Sequence, residues 1–280
     1  MQNAGKTPSK TLSKDWSNNR LRARLDAGEY VIGLTITSSN LETAVLGAKL
    51  GFHFLWVEME HAPVSLEALR SVVLATRGLN AAVLARVPVA ALWTAKRALD
   101  QGVSGVIFPF VSDPEIARTA ALSCRYPPAG LRGSGAGLAA STWFEPGNYY
   151  DSADAQMLTV CVIEEQRALA HVDAIAATPG IDVLFIGTSD LSFSLGLRGR
   201  QDEPLLRDAI ETIRAAAKRH DKFLGRPAGS AEEILRYHRD GFQFFQSVTE
   251  LGLMRLGAEQ LLRPLGIDRS SFDKSILYST

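Results

Sequence analysis

The stretch that decides the fold is "FLWVEMEHAPVSLEALRSVVLATRGLNAAVLARVP", residues 54–88. An apolar run (54–60) leads into a helical pattern with apolar residues at Leu66, Leu69, Val72 and Val73. The helix stops at Gly78, and a second apolar run follows (82–88). The runs are nearly continuous in aliphatic and aromatic residues, which is how strands buried on both faces read. The stretch is therefore one strand–helix–strand unit. Working outward, similar runs occur at 31–37, 105–111, 158–164, 183–189, 223–228 and 242–248, making eight. Helical patterns separate them, with start and stop signals such as Asn40 and Gly51, or Asp113 followed by Pro114. Eight alternations predict an α/β fold of the (β/α)8 TIM-barrel type. An open doubly wound sheet is the weaker reading, because no G-x-G-x-x-G follows the first strand.

The barrel is expected to span 19–265 as one domain. Residues 1–18 read as a disordered tail and 266–280 as a C-terminal arm. Its first fourteen residues, "MQNAGKTPSKTLSK", carry three lysines and no acid; they also lack the arginines of a transit peptide. The longest irregular piece, 126–156, reads as a functional loop. Formal net charge is zero, with no basic block, so no nucleic-acid partner is expected. No apolar run is long enough for a membrane span. Cys124 and Cys161 form no disulfide framework or zinc spacing, and read as buried thiols in a reducing compartment. A cytoplasmic location is expected.

In a barrel of this kind the active face lies at the C-terminal strand ends. Strand 2 ends there in Glu58, Glu60 and His61, strand 3 in Arg86, strand 5 in Glu164 and Glu165, strand 6 in Asp190, and strand 7 near Arg226. Strands 1, 4 and 8 offer Thr37, Ser112, Thr249 and Glu250. Each has a plainer explanation. The glutamates can be solvated, His61 can be a loop histidine, and Asp190 can be a helix cap. Arg86, within an apolar stretch, needs an anion and can form a structural ion pair with Glu58 or Glu60. Their concentration at one end favours a shared site.

Glu164 and Asp190 supply two oxygen ligands for a hard divalent cation such as Mg²⁺ or Mn²⁺, with Co²⁺ also accepted. Such a site would bind a 2-oxo acid through its keto and carboxylate oxygens. Arg86 would stabilise the enolate oxygen, and His61 would transfer a proton. This is aldol chemistry through a metal-bound enolate. No lysine is placed for a Schiff base; Lys96 and Lys222 lie in a helix and at a strand start.

The motifs "EMEHAP", "ARVP", "CRYPPAGLRGSG" and "VLFIGTSDLSFSLG" resemble those of the HpcH/HpaI aldolases, metal-dependent class II pyruvate aldolases, over roughly 19–262. The resemblance implies metal ligands Glu164 and Asp190, catalytic His61 and Arg86, and a substrate carboxylate held by the main chain of Gly187, Thr188 and Ser189. It also implies that Asp100 reaches a neighbouring subunit's site and helps orient its histidine. A homohexamer, a trimer of dimers exchanging the last helix, is implied with it. The family's usual D-G-E-H is Glu58-Met59-Glu60-His61 here, with Glu58 still able to pair with His61 and Met59 able to narrow the pocket. Val162 and Thr188 replace a usual glutamine and proline. The expected activity is cleavage of 4-hydroxy-2-oxo acids to pyruvate and an aldehyde. The alternatives are a macrophomate-synthase-like oxaloacetate decarboxylase that reuses the enolate, and a non-catalytic binding protein on the same scaffold.

Overall fold

The computed structural model describes residues 20–143 and 149–267. The eight strands are β1 (Val31–Ile36), β2 (Phe54–Glu58), β3 (Ala82–Arg86), β4 (Gly105–Phe108), β5 (Leu158–Ile163), β6 (Val183–Ile186), β7 (Phe223–Pro227) and β8 (Phe244–Thr249). They are parallel and close in sequence order, β8 pairing with β1. Each expected run thus holds a strand, and the barrel expectation stands. The open sheet is excluded by closure.

The helices are α1 (Arg20–Asp26), α2 (Leu41–Leu50), α3 (Leu66–Thr76), α4 (Leu92–Leu99), α5 (Pro114–Ser123), α6 (Gly137–Thr142), α7 (Tyr149–Gln156), α8 (Val172–Ala177), α9 (Thr188–Ser194), α10 (Pro204–Arg219), α11 (Ala231–Arg239) and α12 (Glu250–Leu262). Local chemistry sets their ends. Asn40 accepts from the N–H groups of Glu42 and Thr43, and Gly51 ends α2 at φ 108°. Asp113 caps α5, with Pro114 at its first position. Two features depart from the sequence reading. The piece read as irregular, 126–156, contains α6 and α7. Helix α1 packs Leu21 and Leu25 into the barrel interior. The expected tail 1–18 and the arm beyond Ile267 lie outside the described residues.

Two apolar layers result. Leu34, Leu55 and Val57 face outward and share one buried cluster with Leu69, Val72 and Val73 of α3. Inside, Phe54, Trp56, Phe185 and Phe244 fill the barrel. Phe54 and Phe244 stack at 4.5 Å, and Trp56 lies 5.1 Å from Phe185. Gly33 is required for this: a Cβ there would sit 2.1 Å from the Phe54 ring. Above this aromatic floor, at the C-terminal strand ends, the barrel opens into a cavity. Among the described residues no helix is long and apolar enough to cross a membrane. Both cysteines are buried and free.

Candidate active site

A cavity of about 440 Å³ opens above the aromatic floor. Glu58, His61, Arg86, Glu164, Gly187, Thr188, Ser189 and Asp190 all line it. These residues come from four strand ends, so closure of the barrel brings them together.

Glu58 organises the β2–β3 side. One carboxylate oxygen, Oε1, accepts from the main-chain N–H groups of Glu60 (2.8 Å) and His61 (3.0 Å). The other, Oε2, accepts from Arg86 Nε at 2.5 Å and from Trp56 Nε1 at 3.2 Å. Arg86 Nη1 lies 3.2 Å from Glu60 Oε2, and His61 Nε2 lies 3.5 Å from that same oxygen. Arg86 therefore pairs with both glutamates. The expected pairing of Glu58 with His61 runs through the histidine's main chain, because the imidazole faces Glu60 instead. Met59, expected to narrow the pocket, does not line it and packs against the outer core.

Glu164 is 2% exposed, and its Oε1 accepts from the Phe110 N–H at 2.8 Å. The main chain of Gly187 passes so close that a Cβ would lie 2.5 Å from Glu164 Oε2. Burial raises the Glu164 carboxyl to about 7, against the Phe110 hydrogen bond and Arg86 that lower it. Glu60 is likewise raised to about 7, chiefly by burial. Asp190 sits in the first turn of α9, whose cap is Gly187, so the helix-cap explanation fails. Glu60, Glu164 and Asp190 act electrostatically on one another. Arg86 thus interacts with three carboxylates, Glu58, Glu60 and Glu164, and the two on the cavity wall nearest β5 and β6, Glu164 and Asp190, are oxygen donors of the kind a hard cation takes. Among the described residues no group of three or more His, Cys, Asp or Glu side chains is arranged to hold a metal. Any metal here would need oxygens from substrate and water.

Asp100 does not line this chain's cavity. It ends α4, where Arg132 Nη2 lies 3.2 Å from its Oδ1. Arg132 is fully buried and lies 4.5 Å over the Tyr126 ring. The "RYPPAGLRG" segment thus clamps Asp100, whose carboxyl is raised by burial and lowered by Arg132. Arg226 is also away from the cavity, stacked 3.6 Å from the Tyr237 ring centroid. Strand alternation turns it outward. Glu165 pairs with Ser112 and Arg167.

Sequence reasoning missed Thr35 and Gln246, which line the cavity beside Phe185 and Pro227. Gln246 Nε2 donates to Thr35 Oγ1 at 3.1 Å. The signal available was a glutamine inside the apolar run "FQFFQSV".

A closed barrel with acids, arginine and histidine around one C-terminal cavity defines an enzyme of the TIM-barrel class. The family model of the HpcH/HpaI aldolase/citrate lyase family matches residues 32–271. A 5-keto-4-deoxy-D-glucarate aldolase of Enterobacter sp. (strain 638) is 34% identical over 89% of this chain and 98% of its own. An HpcH/HpaI aldolase/citrate lyase family protein from Burkholderia cenocepacia J2315 superposes with a TM-score of 0.81 at 30% identity, covering 89% of this chain and all of that one. Macrophomate synthase shares the fold, with a TM-score of 0.79 at 22% identity over 93% of this chain and 94% of its own. This chain belongs to the HpcH/HpaI aldolase/citrate lyase family. It is a carbon–carbon lyase.

Proposed function

We propose that the chain is a divalent-metal-dependent aldolase that cleaves 4-hydroxy-2-oxo acids to pyruvate and an aldehyde, and runs the reverse addition. The observation that carries this is the gathering of Glu164, Asp190, Arg86 and His61 on one cavity. Glu164 and Asp190 would hold Mg²⁺ or Mn²⁺, or Co²⁺ in their place. When bound, the ion supplies Lewis-acid polarisation of the 2-oxo group.

The chain's own residues account for the rest. Main-chain N–H groups at the start of α9, at Thr188 and Ser189, face the substrate carboxylate. Arg86 Nε and Nη1 are engaged by Glu58 and Glu60, which aims the guanidinium and leaves Nη2 for the developing enolate oxygen. His61, beside Glu60, takes the proton of the 4-hydroxyl. The C3–C4 bond then breaks, its electrons pass into the C2–C3 bond, and the aldehyde leaves. Return of that proton to C3 completes pyruvate.

The relatives' names point to a hydroxylated, acidic substrate of the 5-keto-4-deoxy-glucarate type. The assembly we propose is a homohexamer in which Asp100 serves a neighbouring subunit. Leu251, Met254, Leu256 and Leu261 of α12 are exposed on one chain, which supports a role for this helix between subunits. A cytoplasmic location goes with this metabolic reading. Val162 and Thr188 on the cavity wall favour one second reading, decarboxylation of oxaloacetate with reuse of the enolate. Pyruvate release from 5-keto-4-deoxy-glucarate is expected to stop with a chelator and return with Mg²⁺ or Mn²⁺. Turnover that ignores the chelator contradicts the proposal, and faster turnover of oxaloacetate favours the second reading.

A further inference from the structure

We propose that the turn after β4, Phe110 to Ser112, is a positioning device for the Glu164 carboxylate. Glu165 and Ser112 are its positioning residues. The inference rests on the reading of Glu164 as a metal ligand.

Phe110 has φ 51°, a left-handed conformation that is rare outside glycine and asparagine and that gathers at functional sites. This backbone directs the Phe110 N–H to Glu164 Oε1 at 2.8 Å. The neighbouring contacts lock it there. The Val111 N–H donates to the Val162 carbonyl at 3.1 Å. The Ser112 hydroxyl bonds to Glu165 Oε2 and lies 3.2 Å from the Phe110 carbonyl oxygen. Ser112 is fully buried. Arg167 Nε holds the same Glu165 oxygen at 2.9 Å.

The adjacent glutamates therefore do different work. Glu164 points into the cavity and Glu165 points out of it. Both reach the same turn, one through a main-chain donor and the other through a hydroxyl. The turn is fastened to β5 at Val162 and, just past the end of that strand, to Glu164 and Glu165. The hydrogen bond it supplies occupies one Glu164 oxygen and leaves Oε2, the oxygen against Gly187, as the one available to an ion. Glu165 carries a charge at the active face yet acts through Ser112, which explains why two acids end β5.

The test is Mn²⁺ affinity without substrate, read from the electron paramagnetic resonance signal of free Mn²⁺, on folded full-length protein. Wild type is expected to bind, and Glu164→Gln to lose binding. Ser112→Ala and Glu165→Ala are each expected to weaken binding about tenfold. Glu165→Gln, which keeps an acceptor for Ser112, is expected to recover most of it. Phe110→Asn keeps the N–H and tolerates positive φ, so it is expected to stay near wild type. Glu165 is partly exposed, so its variants keep the test open if Ser112→Ala fails to fold. Wild type that binds while Glu165→Ala binds equally well overturns this inference alone. Loss in Phe110→Asn assigns the effect to the ring and overturns it too. Wild type without Mn²⁺ binding overturns the metal reading itself.

Discussion

Arg86 Nε lies 2.5 Å from Glu58 Oε2, and both side chains are nearly enclosed, at 12% and 2% exposure. The other Glu58 oxygen holds the main chain of Glu60 and His61. One carboxylate thus sets the aim of the arginine and the loop that carries the histidine. A structural ion pair and an active-site arrangement are the same atoms here.

Glu58→Ala leaves Arg86 with Glu60 as its anion and removes the acceptor for two loop N–H groups. Breaking a buried pair in this way costs about 3 kcal/mol. A lower urea midpoint with an unchanged slope is expected; a wild-type midpoint contradicts the pair's structural role. Arg86→Lys cannot reproduce both contacts from one point charge. Its kcat should fall about a hundredfold with little change in KM.

Proton linkage of Glu164 has a definite sign. Its carboxyl is raised from 4.5 to about 7 by burial. Between these values the folded, metal-free chain holds a proton that the unfolded chain has released. Its contribution to stability is therefore complete below about pH 4.5 and is lost as pH rises through 7, by about 3 kcal/mol. Wild type compared with Glu164→Gln in denaturant titrations at pH 5 and pH 8 should show this loss. Added Mn²⁺ should raise the melting temperature more at pH 8 than at pH 5. A wild-type advantage that grows with pH in metal-free protein contradicts the linkage.

Gly187→Ala places a methyl group 2.5 Å from Glu164 Oε2, a distance that forces the carboxylate or the strand end to move. The expected result is a folded protein with Mn²⁺ affinity and kcat both reduced at least about tenfold. Unchanged affinity would show that the Glu164 oxygen is free to relocate without cost.

The barrel was legible because its strands are buried on both faces, so each run is apolar almost throughout. Glu58, Glu164 and Asp190 stood out as charges closing such runs. Other features depended on side-chain direction, which spacing alone leaves open. Arg226 ends a run just as Arg86 does, yet it points outward onto Tyr237. Gln246 faces the cavity from within a run that reads as core. Helix α1 was hidden because two leucines, Leu21 and Leu25, anchor it in the interior, too few to give a periodic pattern. Asp100 does not line the cavity of its own chain, and only the resemblance connects it with the chemistry.

Helix α12 exposes Met254 and Leu261, each at 69%. Replacing both with glutamate should convert the proposed homohexamer to smaller species in sedimentation velocity. In the proposed homohexamer, where Asp100 serves a neighbouring site, it should also lower activity. An unchanged sedimentation profile contradicts the helix's role between subunits.

The central claim, that Glu164 and Arg86 generate an enolate from a 2-oxo acid, is tested most directly by exchange of pyruvate methyl protons in D₂O, followed by proton NMR. No aldehyde is needed. The account expects exchange with Mg²⁺ or Mn²⁺, none with chelator, and none in Glu164→Gln. Exchange that persists in Glu164→Gln, or its absence from metal-loaded wild type, contradicts it.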